Sequence, residues 1–308
     1  MNPSLVTLLP GHTLRHPTPE DADAVLAVIV ARDVADLGHP DYTLEDLQAD
    51  WTLPGVDPEV DAWVVQEGER LVGYAFLDDR GAALVSVAPD AEARGIGTAL
   101  REAAEARAIE RGEALVRQYV PVANERARAL LLDAGYWPVH HYFRMRIGLA
   151  AAPPPPDGAQ VRRFDPERDA EAVHALVQEA FAQLEGNVPQ TLDAWRAAKI
   201  EKRGWDPALW LLAEDADGLT GAALCERWEG GVGYVDSLAV AERARGRGLG
   251  RALLLHAFGA LREAGLEVAE LSVQGENAGA ARLYEAAGMR SVWSQERWEK
   301  ALGHGDPQ

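Results

Sequence analysis

The sequence predicts an α/β protein of two tandem domains, each built on a mixed sheet. Three observations carry that expectation. Gly95 and Gly97 recur as Gly248 and Gly250, Asn124 as Asn277, Ala127 as Ala280 and Gly135 as Gly288, all at one constant offset. An offset this long suits a duplicated domain and is too long for a solenoid repeat. Short apolar runs and amphipathic segments alternate in the same order in both halves. Residues 151–158 read AAPPPPDG, and four consecutive prolines end any helix or central strand and favour an extended spacer. The expected division is a domain over 1–150, a linker over 151–158 and a second domain over 159–308.

The elements follow in order. A strand over 13–15 opens the first half. Thr18 and the acidic run 20–23 introduce an apolar-periodic stretch over 24–37, which reads as a helix. Strands over 61–66 and 70–77 flank a turn at Glu67-Gly68, and a strand over 83–87 follows. A glycine turn then opens a helix over 97–111. A strand over 114–120, a helix over 125–134 and a strand over 140–147 complete the half. The second half repeats the order, with a strand at 160–164, a helix at 168–182, a hairpin of 210–214 with 221–227, and a strand at 231–240. A second glycine turn, a helix to 264, a strand at 267–273, a helix at 278–287 and a strand at 292–298 close the chain.

Composition excludes several classes. The 47% hydrophobic content supports two packed cores and disfavours a disordered chain. Cys225 is the single cysteine, so there is no intramolecular disulfide and no cysteine-rich metal site, which fits a reducing, cytoplasmic setting. No secretory signal and no apolar stretch of transmembrane length is evident. The formal net charge of −19 disfavours nucleic acid as a partner and favours cationic partners, a small amine and a basic peptide alike. His140 and His141 are adjacent and would point to opposite faces of a strand, so no metal site is expected. Of the nine tryptophans, most are expected in cores, and Trp205 and Trp228 are the first candidates to line a substrate pocket.

Against this acidic background, residues 240–254 read VAERARGRGLGRALL. Gly246, Gly248 and Gly250 let the backbone turn and expose its amides, and Arg243, Arg245, Arg247 and Arg251 add positive charge. A helix N-terminus presents unpaired N–H groups and the positive end of its dipole, so this is a phosphate-binding arrangement. It lacks the GKS or GKT ending of a P-loop and comes too late in its domain for a Rossmann opening.

Two motifs then carry a resemblance. Arg245-Gly246-Arg247-Gly248-Leu249-Gly250 and Asn277-x-x-Ala280-x-x-Leu283-Tyr284, followed by Gly288-Met289, occur in the order found in the GNAT family. These are acetyl-coenzyme-A-dependent N-acyltransferases, and the chain resembles two tandem copies. The resemblance implies that each domain is a mostly antiparallel sheet with helices on both faces. It implies acetyl-CoA, or another short acyl-CoA, as donor, with the amides from Arg245 to Gly250 and the cation of Arg251 on its pyrophosphate. Ala280 and Tyr284 would lie along the donor, and Asn277 would cap its helix or contact the donor; the pantetheine arm would pair with the edge of Leu238, Ala239 and Val240 where two parallel strands splay. Glu242 departs from the proline common there.

Amide formation from a thioester needs a group to take or relay the amine's proton and a proton for the departing thiolate. Asp236 stands where family members often carry an acid, and strand alternation would put it on one face with Leu238 and Val240; the alternative is a turn cap or an ordinary ion pair. Glu226 on the neighbouring strand is the second candidate. Tyr284 matches the family's general acid, and its other reading is a core aromatic. The first copy has Glu92 for Arg245, Leu131 for Tyr284 and Ala83 for Asp236. It is expected to be degenerate, although Val85, Val87, Arg94, Gly95, Gly97, Thr98 and Asn124 leave a possible second cofactor site. The expected function is N-acetylation of a small-molecule primary amine by a monomer or homodimer that engages neither membrane nor nucleic acid. The alternatives are a non-catalytic acyl-CoA-binding regulatory module and a protein or peptide N-acetyltransferase.

Overall fold

A computed structural model describes residues 11–156, 160–182, 189–201 and 204–303, so residues 157 and 158 of the expected linker lie outside the described residues. The elements are β1 (His12–Arg15), α1 (Ala22–Leu37), α2 (Leu44–Trp51), α3 (Pro58–Asp61), β2 (Ala62–Glu67), β3 (Arg70–Leu77), β4 (Ala83–Val87), α4 (Ile96–Glu110), β5 (Leu115–Pro121), α5 (Glu125–Asp133) and β6 (Trp137–Gly148). They continue as β7 (Val161–Arg163), α6 (Pro166–Phe181), α7 (Leu192–Lys199), β8 (Leu211–Asp215), β9 (Gly218–Trp228), β10 (Val232–Val240), α8 (Leu249–Glu263), β11 (Val268–Gln274), α9 (Ala278–Ala286) and β12 (Arg290–Ala301). Every expected strand and helix is present within a few residues. Helices α2, α3 and α7 are additions that the apolar pattern does not announce, the first and last being two turns long.

Local chemistry explains the starts. Asn124 and Asn277 cap α5 and α9 by accepting from the N–H groups of Ala127 and Ala280 at 3.0 and 3.1 Å. Thr43 caps α2 and Asp165 caps α6 in the same way. One device is repeated: Arg15 grips Asp21 with two nitrogens at the start of α1, and Arg162 grips Asp169 at the start of α6. Such bidentate pairs fix strand, helix and turn together.

The chain forms two compact units. One comprises Met1–Tyr142 with Trp293–Gln308, and the other Phe143–Val292. This differs from the contiguous division at 150 and 159, because β6 from Phe143 onward belongs to the second unit and β12 from Trp293 onward to the first. In the first unit the sheet β1-β2-β3-β4 is antiparallel, and β5 pairs antiparallel with β12, from Gln295 opposite Pro121 to Ala301 opposite Leu115. A parallel bridge from Ala82 to Arg117 links the two parts. In the second unit the order is β7-β8-β9-β10-β11-β6. Each unit is therefore a mixed, mostly antiparallel sheet.

Helices cover both faces. In the first unit Val25, Ile29 and Leu47 pack with Val64, Tyr74 and Phe76 on one side. Leu100, Leu131 and Trp298 pack with Val65, Val72 and Val116 on the other. In the second unit one core joins Val173 and Leu176 of α6, Trp195 of α7 and Trp210 with Leu253, Phe258 and Leu261 of α8. Close packing on α8 requires glycine at Gly221 and Gly233, where a Cβ would lie 2.6 Å from Leu253 and Leu261 carbons.

Candidate active site

The second unit's site begins at a fault in β10. Val235 pairs with Cys225 and Ser237 with Leu224, which leaves Asp236 as the extra residue of a β-bulge. Bulges re-aim side chains and open a strand locally. The fault also corrects the expected facing. Leu238 and Val240 pair with Ala223 and Gly221, residues that alternate with Cys225, so they share a face with Val235 and not with Asp236. Parallel pairing of β10 with β11 covers Val232–Val268 to Tyr234–Glu270 and stops there. The strands part just before the bulge, leaving the Leu238–Val240 edge toward β11 unpaired, as the resemblance implied.

Beyond Val240 the chain makes the glycine turn. Gly246 and Gly248 take φ of +77° and +78°, a region favouring glycine, and Gly248 is the residue from which α8 springs. A Cβ on Gly250 would come within 3.1 Å of Leu283 in α9 and 3.5 Å of Val240, so this glycine seats the helix start between strand and helix. Arg245, Arg247 and Arg251 are exposed. The Arg245 Nε donates to the Val240 carbonyl at 3.2 Å, whereas Arg243 turns away to Asp215 at 2.6 Å. The residues present thus fit a phosphorylated donor: exposed cations and the first-turn amides of α8 meet at one end of the opened strand pair.

The chemistry-bearing side chains lie around the bulge. Asp236 accepts from Lys199 Nζ at 2.8 Å on one oxygen and from Ser237 Oγ at 2.9 Å on the other. Glu226 sits directly opposite Tyr234 on β9. Tyr234 stacks on Trp228, with ring centroids 3.9 Å apart and planes 9° from parallel. The Arg144 guanidinium lies 5.0 and 5.2 Å from these two ring centres and is ion-paired with Glu270, which Arg146 also binds. Tyr284 of α9 is half-buried, packed against the core. Burial, with a smaller contribution from Tyr234, pushes its phenol up to about 12. The phenol therefore stays protonated at neutral pH and can donate. Burial likewise pushes the Cys225 thiol up, behind the bulge, so the single cysteine is no nucleophile.

The remaining candidate residues take the following places. Asn277 spends its oxygen on the cap of α9. Trp205 packs against the second unit's core, 5.5 Å from Trp210 and 6.1 Å from Phe164. Trp228 does lie at the site. Lys199 and Arg144 were missed. For Lys199 a signal existed, since the whole chain has three lysines against 27 arginines.

The first unit lacks this geometry. Strand β4 pairs with β3 without a break in register, and Ala83, matching Asp236, is buried. Leu131, matching Tyr284, is 1% exposed. A cavity of about 590 Å³ persists, lined among others by Val85, Val87, Gly95, Gly97, Thr98 and Asn124. Arg94 is drawn instead to Glu67. Glu92 is clasped by Arg32 and Arg126, and Ala93 adopts a φ of +60° where the second copy has Gly246.

Among the described residues no helix is long and apolar enough to cross a membrane, and no cluster of three His, Cys, Asp or Glu is placed to hold a metal.

The sequence pattern of the acetyltransferase (GNAT) family matches the chain twice, over 29–136 and 171–289. The chain is 37% identical over 301 residues to a mycothiol acetyltransferase of Kineococcus radiotolerans, covering 93% of this chain and 94% of that protein. It is 33% identical over 284 residues to one of Thermobispora bispora, covering 88% and 93%. A crystal structure of a GCN5-related N-acetyltransferase from Sphaerobacter thermophilus superposes with a TM-score of 0.85 at 31% identity, covering 98% of this chain and 99% of that one. A tandem GNAT protein from the clavulanic acid pathway shares the fold, with a TM-score of 0.74 at 18% identity over 96% of this chain and all of that one.

Proposed function

Because the chain belongs to the GNAT family of acetyltransferases, we propose that it transfers the acetyl group of acetyl-CoA to the primary amine of a small molecule, and that it does so in the second unit. The observation that carries this reading is the bulge at Asp236, set beside strands that part, with a donor-type tyrosine on the next helix. The first copy has neither the bulge nor either side chain.

The residues take the following roles. The amides and arginines from Arg245 to Arg251 hold the donor's pyrophosphate, and the open Leu238–Val240 edge supports its extended arm. Asp236 orients the acceptor amine and takes its proton, with Glu226 as the neighbouring carboxylate that relays it onward. Tyr284 donates to the departing thiolate. Orientation at the bulge converts an encounter of two molecules into a near-unimolecular step. The Trp228–Tyr234 stack, capped by Arg144, offers the acceptor an aromatic wall. The formal charge of −19 steers cationic amines toward the protein.

The relatives' name makes a mycothiol-type amine the first acceptor to test. A library of primary amines, followed by release of free thiol from acetyl-CoA, checks the reading. At least one small amine should be acetylated, with Asp236→Asn losing most rate at low pH, where the amine is protonated. Coenzyme binding without turnover of any amine would point to a binding module. Turnover confined to peptides would move the acceptor class.

A further inference from the structure

Asp236 already has an amine beside it. The chain builds its ion pairs almost entirely from arginine, as in Arg15–Asp21, Arg107–Asp61 and Arg162–Asp169. A guanidinium does not give up its proton in proteins, whereas an ammonium can and then becomes a nucleophile. Of three lysines, Lys202 lies outside the described residues and Lys300 pairs with Glu105 in the first unit. Lys199 differs from Lys300 in its place, since its partner is the carboxylate at the bulge. It ends α7 with its Nζ 2.8 Å from Asp236, the two side chains being 26% and 19% exposed. Ser237 donates to one Asp236 oxygen, and the Lys199 nitrogen lies against the other, the one Ser237 leaves to an amine.

We propose that Lys199 is itself an acceptor of this site: a coenzyme A thioester acylates its Nζ, giving Nε-acetyl-Lys199 and free thiol. The inference rests on the acetyltransferase reading above. In the step, the Lys199 ammonium passes one proton to Asp236 and the freed lone pair attacks the thioester carbonyl carbon. A C–N bond forms, the C–S bond breaks, and the nitrogen loses its second proton as the amide forms. Of the two protons, one ends on the coenzyme sulfur, delivered through Tyr284, and the other leaves to water. No oxidant or metal is needed. The modified chain loses a positive charge beside Asp236 and carries an amide where the acceptor nitrogen sits.

The test is peptide mass spectrometry on the full-length protein incubated with isotopically labelled acetyl-CoA, Lys202 and Lys300 serving as internal references. The expected result is one acetyl group per chain on Lys199, gained at least about ten-fold faster than at Lys300, since a held amine reacts as a near-unimolecular partner. Lys199→Arg keeps a cation against Asp236 and removes that label, and Tyr284→Phe slows its appearance. If an added small amine is acetylated while Lys199 stays unlabelled, this inference falls and the acetyltransferase reading stands. Equal labelling of Lys199 and Lys300 also overturns it, because that is uncatalysed surface chemistry. If no amine is acetylated, Lys199 is unlabelled and no coenzyme binds, both readings fall.

Discussion

Asp236 owes its position to one extra residue in β10. Without the bulge, the carboxylate would lie within regular strand pairing; with it, the backbone opens beside β11 and the side chain meets Lys199. Tyr284 shows how one position serves two purposes. Its first-copy counterpart, Leu131, is a core residue, so the ring continues a packing role while the hydroxyl adds a donor. We expect Tyr284→Phe to keep coenzyme affinity and to slow turnover by up to roughly 100-fold, as the loss of a general acid does. Calorimetry beside steady-state rates checks this. A parallel loss of affinity would make the hydroxyl a binding group instead.

At the scale of elements, helix starts carry much of the specification. Asp21 joins β1 to α1 through Arg15 and the Thr18 N–H and hydroxyl, and the Arg15 hydrogen bonds chiefly hold its carboxyl near 2, below the ordinary 3.8. The folded form binds the proton less readily than the unfolded chain, so this stabilisation is complete above 3.8 and is lost as pH falls toward about 2. Asp21→Asn should therefore lower the melting temperature of the first unit at neutral pH, with the deficit shrinking through that acidic window. A deficit constant across it would show that shape, not charge, matters. Asp169 follows the same logic in α6: burial opposes ionisation, but Arg162, Arg168 and the Asp165 N–H outweigh it and hold the carboxyl well below its usual range.

At the scale of the whole molecule, a strand late in the chain completes a core built by the early residues. Trp298 of β12 is 4% exposed in the first unit's core. Trp298→Ala should cost about 3–5 kcal/mol, as large aromatic truncations do. Hydrogen exchange should then quicken in β3, β5 and α5 and leave β9 and β10 protected; the opposite pattern would restore contiguous domains. The division of labour is tested by two aspartates. Gly248→Asp places bulk and negative charge at the N-terminus of α8 and should abolish coenzyme binding and turnover. Gly97→Asp, which crowds Leu130 at 3.3 Å, should spare most turnover in a chain that circular dichroism shows folded. Equal losses in both would mean that the first copy takes part in the reaction.

The duplication, the order of strands and helices and the glycine turns were all legible in the sequence. Each depends on local chemistry: alternation on strands, periodicity on helices, and glycine where φ is positive. Arg245 to Gly250 and Asn277 to Tyr284 are such contiguous signals. The bulge, the Lys199–Asp236 pair and the Arg144 cap over Trp228 and Tyr234 were not, because each depends on which residues of separate elements meet. Helix α7 is two turns long with a single buried residue, too short to show a period, yet it delivers Lys199. The closing strands make the same point most clearly. Strands β6 and β12 are counterparts in two copies of one pattern, and either could close either sheet by alternation alone. Only the tertiary structure, in which β12 pairs along β5 and β6 lies beside β11, decides which core each one completes.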